Sequence, residues 1–152
     1  PTNCPCCGSI LEDTETELYC NNHLNCKTQI VLKLVQFASR NAMNIDGLSE
    51  ATLDFLIDKG WVKSFTDLYE LGTKSGVVYE WKLTSGYGEK SVEKILDAIE
   101  SSRNVKLDNF ITALSIPNIG KSAAKTISNY FNGNFEDFMY AHENNFNWTT
   151  FY

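Results

Sequence analysis

The predicted fold is decided at Gly86-Tyr87-Gly88-Glu89-Lys90-Ser91, where a short glycine turn runs into a helical pattern. Apolar residues recur at helical spacing after the turn, namely at Val92, Ile95, Leu96 and Ile99. Glycine supplies positive-φ backbone and allows close approach, so we expect both glycines to have this role while Tyr87 anchors the turn to a core. The pattern predicts that the turn opens an amphipathic helix over residues 90–102.

Turns of this kind occur three times along the chain, and we name each after its central residue. The Leu48 turn is Gly47-Leu48-Ser49, the Tyr87 turn is Gly86-Tyr87-Gly88, and the Ile119 turn is Asn118-Ile119-Gly120. Ser49 and Asn118 replace glycines, although Asn tolerates left-handed backbone better than most residues. One such turn alone is explained as a helix cap. Three of them, each before a helical pattern, indicate a repeated supersecondary unit.

A helix start carries unpaired N–H groups in a positive local field, which suits a phosphate. We therefore predict that the three turns contact DNA through their backbone, with Lys90 and Lys94 flanking one phosphate. The candidate DNA-binding residues are those of the turns and the nearby lysines: Gly47, Leu48, Ser49, Gly86, Tyr87, Gly88, Lys90, Lys94, Asn118, Ile119, Gly120 and Lys121.

The remaining apolar periodicity predicts a mainly α-helical chain. Helices are predicted over residues 29–39, 50–59, 66–71, 90–102, 108–115, 121–131 and 135–142. Residues 72–82 are predicted to form a loop or a short extended piece. Strand patterns are nearly absent outside the cysteine region, so the predicted architecture is a helical domain that carries a small metal-bound head.

The five cysteines of the chain all lie within its first 26 residues. An odd number concentrated in one segment is typical of a metal site rather than a disulfide framework. Cys4-x2-Cys7 and Cys20-x5-Cys26 form two pairs separated by a loop, and such pairs can close tetrahedrally on zinc. We predict a structural zinc on these four cysteines, because four thiolates leave no open position for water.

Two other residues compete for places in this site. Cys6 can displace Cys7, and His23 stands at Cys20-x2-His23, a spacing that zinc also accepts. We prefer Cys26 to His23, since His23 is flanked by polar turn residues and is expected to be a solvated loop histidine.

The 152-residue chain has a formal net charge of −6, which is unusual for a DNA-binding protein. Any DNA contacts must therefore come mostly from backbone N–H groups at helix starts. Four acids cluster away from the candidate lysines, at Glu12, Asp13, Glu15 and Glu17. No stretch resembles a signal peptide or a membrane span, so we expect a cytoplasmic protein without a membrane partner. Pro1 in place of Met favours a fragment or a processed chain.

Two short matches to enzyme motifs are discounted. Gly120-Lys121-Ser122 ends like a P-loop, but Ser115 stands where the leading glycine is required. Lys106-Leu107-Asp108-Asn109 differs by one residue from the Lys-x-Asp-Gly signature of nucleotidyl transferases, and Asp108 is expected to be the N-cap of the next helix. No other pairing of nucleophile and base stands out, so no catalytic residue is predicted.

The ordered motifs resemble those of bacterial-type NAD-dependent DNA ligases over nearly the whole chain. The matching segments are Cys4–Gly8 with Cys20-x5-Cys26, Phe37–Leu48, Asp67–Leu71, Gly86–Ser91, and Ala113–Ile116 running into Gly120. The resemblance implies a Cys4 zinc finger over residues 1–28 and a tandem helix-hairpin-helix domain over residues 29–152. This domain is expected to be truncated, since residues 144–152 stop where a further hairpin would begin.

In that family, such a region grips duplex DNA around a nick while separate domains perform the chemistry. The resemblance therefore implies a role in nick sealing during DNA replication and repair. An adenylation domain and an OB-fold are expected upstream, and a BRCT domain downstream, as domains of one parent ligase. NAD and magnesium serve the whole enzyme and are not expected to bind here, so the region alone is expected to be inactive.

Two other functions stay open. The chain can be a zinc-headed helical module that binds protein, or the hairpin module of a different DNA repair protein. Titration with nicked duplex at two salt concentrations separates these possibilities.

Overall fold

The structure is a computed structural model that describes residues 1–144. In this part the chain is mainly helical, which confirms the predicted fold class. It packs as two compact units, one from Pro1–Val35 with Leu48–Val92 and one from Gln36–Gly47 with the chain from Glu93 onward. The domains predicted at residues 1–28 and 29–152 are defined by their motifs, whereas the two units are defined by compact packing. The units therefore do not test the predicted domains, which stay a prediction. The expected start of another hairpin lies, apart from Asn144, outside the described residues.

The first unit holds the cysteine segment and the helices on either side of the Tyr87 turn. Its elements are β1 (Leu11–Asp13), β2 (Leu18–Cys20), most of α1 (Lys27–Ala38), α2 (Glu50–Asp58), α3 (Phe65–Glu70), a 3-10 turn (Leu71–Thr73), α4 (Ser75–Leu83) and the start of α5 (Glu89–Ser101). Strands β1 and β2 pair antiparallel, with Leu11 opposite Cys20. The most deeply buried side chains of this unit are aliphatic or aromatic: Leu34, Leu53, Leu56, Val62, Leu68, Leu71, Trp81 and Val92.

The second unit is built from Gln36–Gly47, most of α5 and the three helices that follow it. After α5 come a 3-10 turn (Ser102–Asn104), α6 (Leu107–Ala113), α7 (Lys121–Tyr130) and α8 (Phe135–Glu143). Helices α6 and α7 pack on each other. Their shared core with α8 consists of Leu107, Ile111, Ala124, Ile127, Phe131, Phe138 and Ala141. This apolar cluster holds the Ile119 turn in place, because Ile119 packs against it.

The prediction of a loop over residues 72–82 is wrong. Leu71–Thr73 is a 3-10 turn, and Ser75–Leu83 is an α-helix. Glycine and β-branched residues have low helix propensity, but packing outweighs it here because Trp81 is fully buried. The seven predicted helices are all present, with ends that lie within two residues of the predicted ones.

Within residues 1–144, no helix is both long enough and apolar enough to cross a membrane.

Candidate metal centre and helix-opening turns

The cysteine segment folds around two tight turns and a short hairpin. Gly8 adopts a left-handed backbone with φ of 75°, which favours glycine. Its N–H donates to the carbonyl of Cys4 at 2.8 Å, and the N–H of Cys4 donates to the carbonyl of Ser9 at 2.8 Å. The second pair is held by β2, which ends at Cys20, and by the N–H of Cys26, which donates to the carbonyl of Asn22 at 2.8 Å.

This backbone brings together the sulfurs of Cys4, Cys7, Cys20 and Cys26, all within 4.8 Å of one another. Two of the separations are 3.5 Å, between Cys7 and Cys20, and 4.0 Å, between Cys4 and Cys26. Zinc bonded to four sulfurs at about 2.3 Å in a tetrahedron holds them about 3.8 Å apart. The cluster can therefore hold a metal ion, and its dimensions and soft donors fit zinc.

Cys6 and His23, the alternative ligands, lie outside this group of four. The sulfur of Cys6 is exposed and accepts a hydrogen bond from the N–H of Thr28 at 3.4 Å. His23 is also exposed, and its Nδ1 lies 3.0 Å from Oε1 of Gln29. Each side chain has a partner of its own, and neither completes the four-sulfur cluster.

The surroundings of the cluster shift the pKa values of Cys7 and Cys26 in opposite directions. Hydrogen bonds from the side chain and backbone of Ser9 and from Asn22 lower the pKa of Cys7 to about 6. At Cys26, a hydrogen bond from the backbone of Gln29 lowers the pKa, but burial and the neighbouring thiols outweigh it and raise the pKa to about 12. The thiol of Cys26 therefore needs a bound cation to be ionised at neutral pH.

The metal centre is tied directly to the helical part of the first unit. Cys26 immediately precedes α1, whose first residue, Lys27, forms ion pairs of 3.0 Å with Asp54 and 2.6 Å with Asp58 on α2. Nε2 of Gln29 donates to the carbonyl of Cys20 at 2.7 Å. Helix α1 therefore connects the cysteine segment to the helix that the Leu48 turn opens.

The three turns share a left-handed first residue. The φ angles are 85° at Gly47, 89° at Gly86 and 65° at Asn118. Glycine adopts this conformation at no steric cost, and Asn adopts it more easily than other residues. Asn118 thus has the left-handed backbone that Gly47 and Gly86 have in the other two turns.

The third residue of each turn lies where a helix begins. In Ser49, Gly88 and Gly120, the carbonyl accepts a hydrogen bond of 2.9, 3.0 and 2.9 Å, respectively, from the N–H four residues later. Ser49 also caps α2, because its Oγ accepts from the N–H of Thr52 at 3.2 Å. Glycine has no side chain for this, so α5 and α7 begin without a cap from their own N-cap residue.

The fold does not require glycine at Gly88 or Gly120. Neither has a positive φ, and a Cβ added at either would meet no atom within 4 Å. The expectation of positive φ at Gly88 is therefore wrong, because this residue directly precedes α5 and the left-handed residue of its turn is Gly86. Absent side chains at these two helix starts leave the N–H groups open to a ligand.

Sequence reasoning missed the support beneath the Tyr87 turn. The ring of Tyr87 lies between Phe55 and Trp81, with centroid distances of 5.0 and 5.9 Å. Its hydroxyl donates to Oγ1 of Thr52 at 3.2 Å. Thr52 stands three residues after Ser49, a spacing typical of a helix cap, and that was the available signal. Tyr87 is thus a half-buried anchor, as the sequence predicts.

The candidate lysines are exposed at the starts of two helices. Lys90 and Lys94 lie one turn apart on α5, and Lys121 is the first residue of α7. No ion pair is described for any of them in residues 1–144, whereas Glu89 lies 3.8 Å from Nζ of Lys82. These three ammonium groups remain available to an anion.

The residues of the two discounted enzyme motifs have structural positions in the fold that do not match the motifs. Asn109 donates through Nδ2 to the carbonyl of Ala42 at 3.1 Å, a contact within the second unit. Asp108 is not the N-cap of α6, which was the expectation. The helix begins one residue earlier, at Leu107, because the extended backbone of Lys106 takes the cap position. Within residues 1–144, the segment Gly120–Ser122 follows a turn and not a strand.

No family model matches the chain. Its sequence is similar to proteins named DNA ligase. It is 40% identical over 131 residues to the DNA ligase of Alkaliphilus metalliredigens, and the aligned residues make up 86% of this chain and 19% of that protein. For the DNA ligase of Clostridium novyi, the identity is 40% over 146 residues, with 91% of this chain and 21% of that protein covered. A DNA ligase of Clostridium botulinum is 45% identical over 120 residues, with coverage of 79% and 17%. The chain therefore spans about a fifth of the length of the curated relatives it matches, and over most of its own length it is similar to one segment of a DNA ligase.

Proposed function

We propose that this chain is the zinc-finger and helix-hairpin-helix part of a bacterial-type NAD-dependent DNA ligase. In this proposal the chain grips duplex DNA around a nick, in support of nick sealing during replication and repair in the cytoplasm. The similarity to DNA ligases favours this function over a protein-binding module or the hairpin module of another repair protein.

The observation that carries the proposal is the glycine at two helix starts. Gly88 and Gly120 have neither a backbone conformation nor a packing contact that requires glycine. A helix start without a side chain lets a phosphate approach the N–H groups closely, and the positive end of the helix favours its charge. Glycine at these positions is therefore better explained by a ligand than by the fold.

Backbone binding also reconciles the proposed function with the charge of the chain. A net charge of −6 gives little long-range attraction to DNA. The N–H groups at a helix start act over a short range and do not depend on the total charge. We propose that the Tyr87 turn provides the main contact, with Lys90 and Lys94 assisting, and that the Ile119 turn with Lys121 provides a second.

The Leu48 turn has a weaker part in this proposal. Ser49 occupies the N–H of Thr52 with its own hydroxyl oxygen, at 3.2 Å. Its side chain also adds bulk at the position where the other two turns have glycine. We infer that Gly47-Leu48-Ser49 contributes less to DNA binding than the other turns.

The metal centre has a structural role in this account. We propose that Cys4, Cys7, Cys20 and Cys26 hold zinc and that the ion fixes the cysteine segment on α1. A closed site of four thiolates supplies folding free energy and offers no position for a reacting water. NAD and magnesium belong to the chemistry of the parent ligase, in domains other than this one.

The proposed function is tested by fluorescence anisotropy with the zinc-loaded chain. A labelled nicked duplex is titrated at two salt concentrations, beside a nicked duplex of unrelated sequence. We expect saturable binding that is equal for the two sequences and weakens as salt rises, because phosphates rather than bases are contacted. Absence of saturable binding at the lower salt concentration contradicts the proposed function and favours the protein-binding alternative.

A further inference from the structure

A small cavity in the first unit is lined by two lysines, by polar and apolar side chains, and by no acid among the described residues. Its volume is about 120 Å³, and it lies between α1 and the segment that leads into α3. Lys33, Lys63 and His23 contribute to its lining, and none of the described lining residues is acidic. In a chain where acids outnumber bases, 19 to 13, an acid-free cavity beside two lysines is an unusual local environment.

The ammonium groups at this cavity differ from others in the same unit. Nζ of Lys33 lies 5.3 Å from the ring centroid of Phe65, which also lines the cavity. A cation–π contact holds an ammonium in place without neutralising its charge. No ion pair is described for Lys33 or Lys63 in residues 1–144, whereas Lys27 and Lys59 each contact a carboxylate.

The carboxylate of Asp67, which follows the lining residues Lys63 to Phe65 in the chain, is already engaged by the backbone. Oδ2 of Asp67 accepts from the N–H of Lys63 at 2.8 Å and from the N–H of Ser64 at 3.2 Å. The oxygen of the Ser64 hydroxyl accepts from the N–H of Asp67 at 3.4 Å, which leaves the hydroxyl hydrogen able to donate. In this capping box the carboxylate of Asp67 is occupied by backbone N–H groups, and the hydroxyl of Ser64 remains able to donate to a ligand in the cavity.

The other side of the cavity belongs to the cysteine segment. His23 is fixed by the contact of its Nδ1 with Gln29, which in turn donates to the carbonyl of Cys20. Leu24 also lines the cavity, although 82% of its surface is exposed. The lining thus combines two lysines and a hydroxyl donor with apolar side chains, among them Ile30 and Leu34.

We propose that this cavity binds a phosphate group of the DNA backbone, with Lys33 and Lys63 as its ligands. Two unpaired ammonium groups and a hydroxyl donor match the charge and the acceptor oxygens of a phosphate. The exposed Leu24 is available for an apolar contact with the adjoining sugar. This inference rests on the proposed function, and it adds a contact made by side chains to those made by helix starts.

The test compares three single variants of the zinc-loaded chain in binding to nicked duplex. Lys33→Ala and Lys63→Ala remove the proposed ligands. Lys59→Ala is the matched control, because it makes the same charge change at an ammonium that already pairs with Glu80 at 3.1 Å. We expect each ligand variant to bind about threefold to tenfold more weakly and to lower the salt slope by about 1, while the control changes little.

A second arm separates the DNA backbone from free phosphate. Inorganic phosphate is titrated into the wild-type chain while the His23 ring resonances are followed by NMR. Equal DNA binding by all three variants overturns the proposal, even if phosphate shifts those resonances, since the cavity would then take only the free ion. If the wild-type chain does not bind DNA, the proposed function fails together with this inference. Loss confined to the two ligand variants supports both.

Discussion

The hydroxyl of Tyr87 donates to Oγ1 of Thr52 across 3.2 Å, and this contact joins the Tyr87 turn to the helix that the Leu48 turn opens. Thr52 is also the residue whose N–H is capped by Ser49. The hydroxyl of Ser49 in turn donates to Oγ1 of Thr52 at 3.1 Å. One threonine therefore supports a helix cap and a neighbouring turn at the same time.

Removing the Tyr87 hydroxyl tests this support. Tyr87→Phe keeps the ring between Phe55 and Trp81 but loses the hydrogen bond to Thr52. We expect the free energy of unfolding to fall by about 0.5–1.5 kcal/mol, measured by urea denaturation. Tyr79→Phe is the control, because Tyr79 is 69% exposed on α4. An equal effect of the two substitutions contradicts the structural role of the hydrogen bond.

Zinc content tests the choice of ligands. Cys26→Ser removes a buried member of the four-sulfur cluster, whereas Cys6→Ser removes an exposed cysteine outside it. Metal analysis of the purified chain is expected to give one zinc for the wild type and for Cys6→Ser, and much less for Cys26→Ser. Chelation is expected to unfold the cysteine segment, because the metal supplies folding free energy. Full zinc content in Cys26→Ser, with loss in His23→Ala, would assign the fourth ligand to His23.

The Leu48 turn offers a substitution with opposite effects on stability and binding. Ser49→Gly removes the side-chain cap on Thr52 and restores the glycine present in the other two turns. We expect stability to fall by only a few tenths of a kcal/mol, since glycine is itself a tolerated N-cap. Affinity for nicked duplex is expected to rise, because an N–H is released and a side chain is removed. Weaker binding at unchanged stability would show that Ser49 is itself a contact.

The chain is expected to be unable to accept AMP from NAD. The segment most similar to a nucleotidyl-transfer signature begins at Lys106 and has Asn109 where glycine is required. Nδ2 of Asn109 donates to the carbonyl of Ala42 at 3.1 Å. Incubation with NAD labelled in the adenylate should leave the protein unlabelled. A labelled adduct on Lys106 would overturn this expectation and the assignment of all chemistry to other domains.

The fold class and the helices with a clear apolar period were predictable from the sequence. Helix α5 is the best example, since its buried residues recur every three or four positions after an unambiguous glycine turn. Helix α4 was not predictable in this way. Its glycine and valines suggested a loop, and the buried Trp81 that stabilises it acts through tertiary contacts that no local pattern contains.

The candidate site was predictable to a similar degree. The spacing of the cysteines selected the four sulfurs that the structure brings together. The turns were identified, but the roles of their glycines were not separated, because a sequence does not distinguish the left-handed Gly86 from Gly88, whose φ is not positive. The cavity beside Lys33 was missed, since Lys63 lies thirty positions away along the chain and only packing brings the two to one place.

The most direct test of backbone-mediated binding is the affinity of Gly88→Val for nicked duplex. Gly88 has no positive φ and has open space around an added Cβ, so the variant should fold, at a cost of about 1 kcal/mol or less from poorer capping. Gly76→Val is the control, because Gly76 also has open space around it and lies within α4. We expect Gly88→Val to lose at least about tenfold in affinity, as its side chain keeps the phosphate from the N–H groups of α5, while Gly76→Val binds like the wild type. Unchanged affinity in a Gly88→Val variant that retains its circular dichroism spectrum would show that this helix start does not contact DNA.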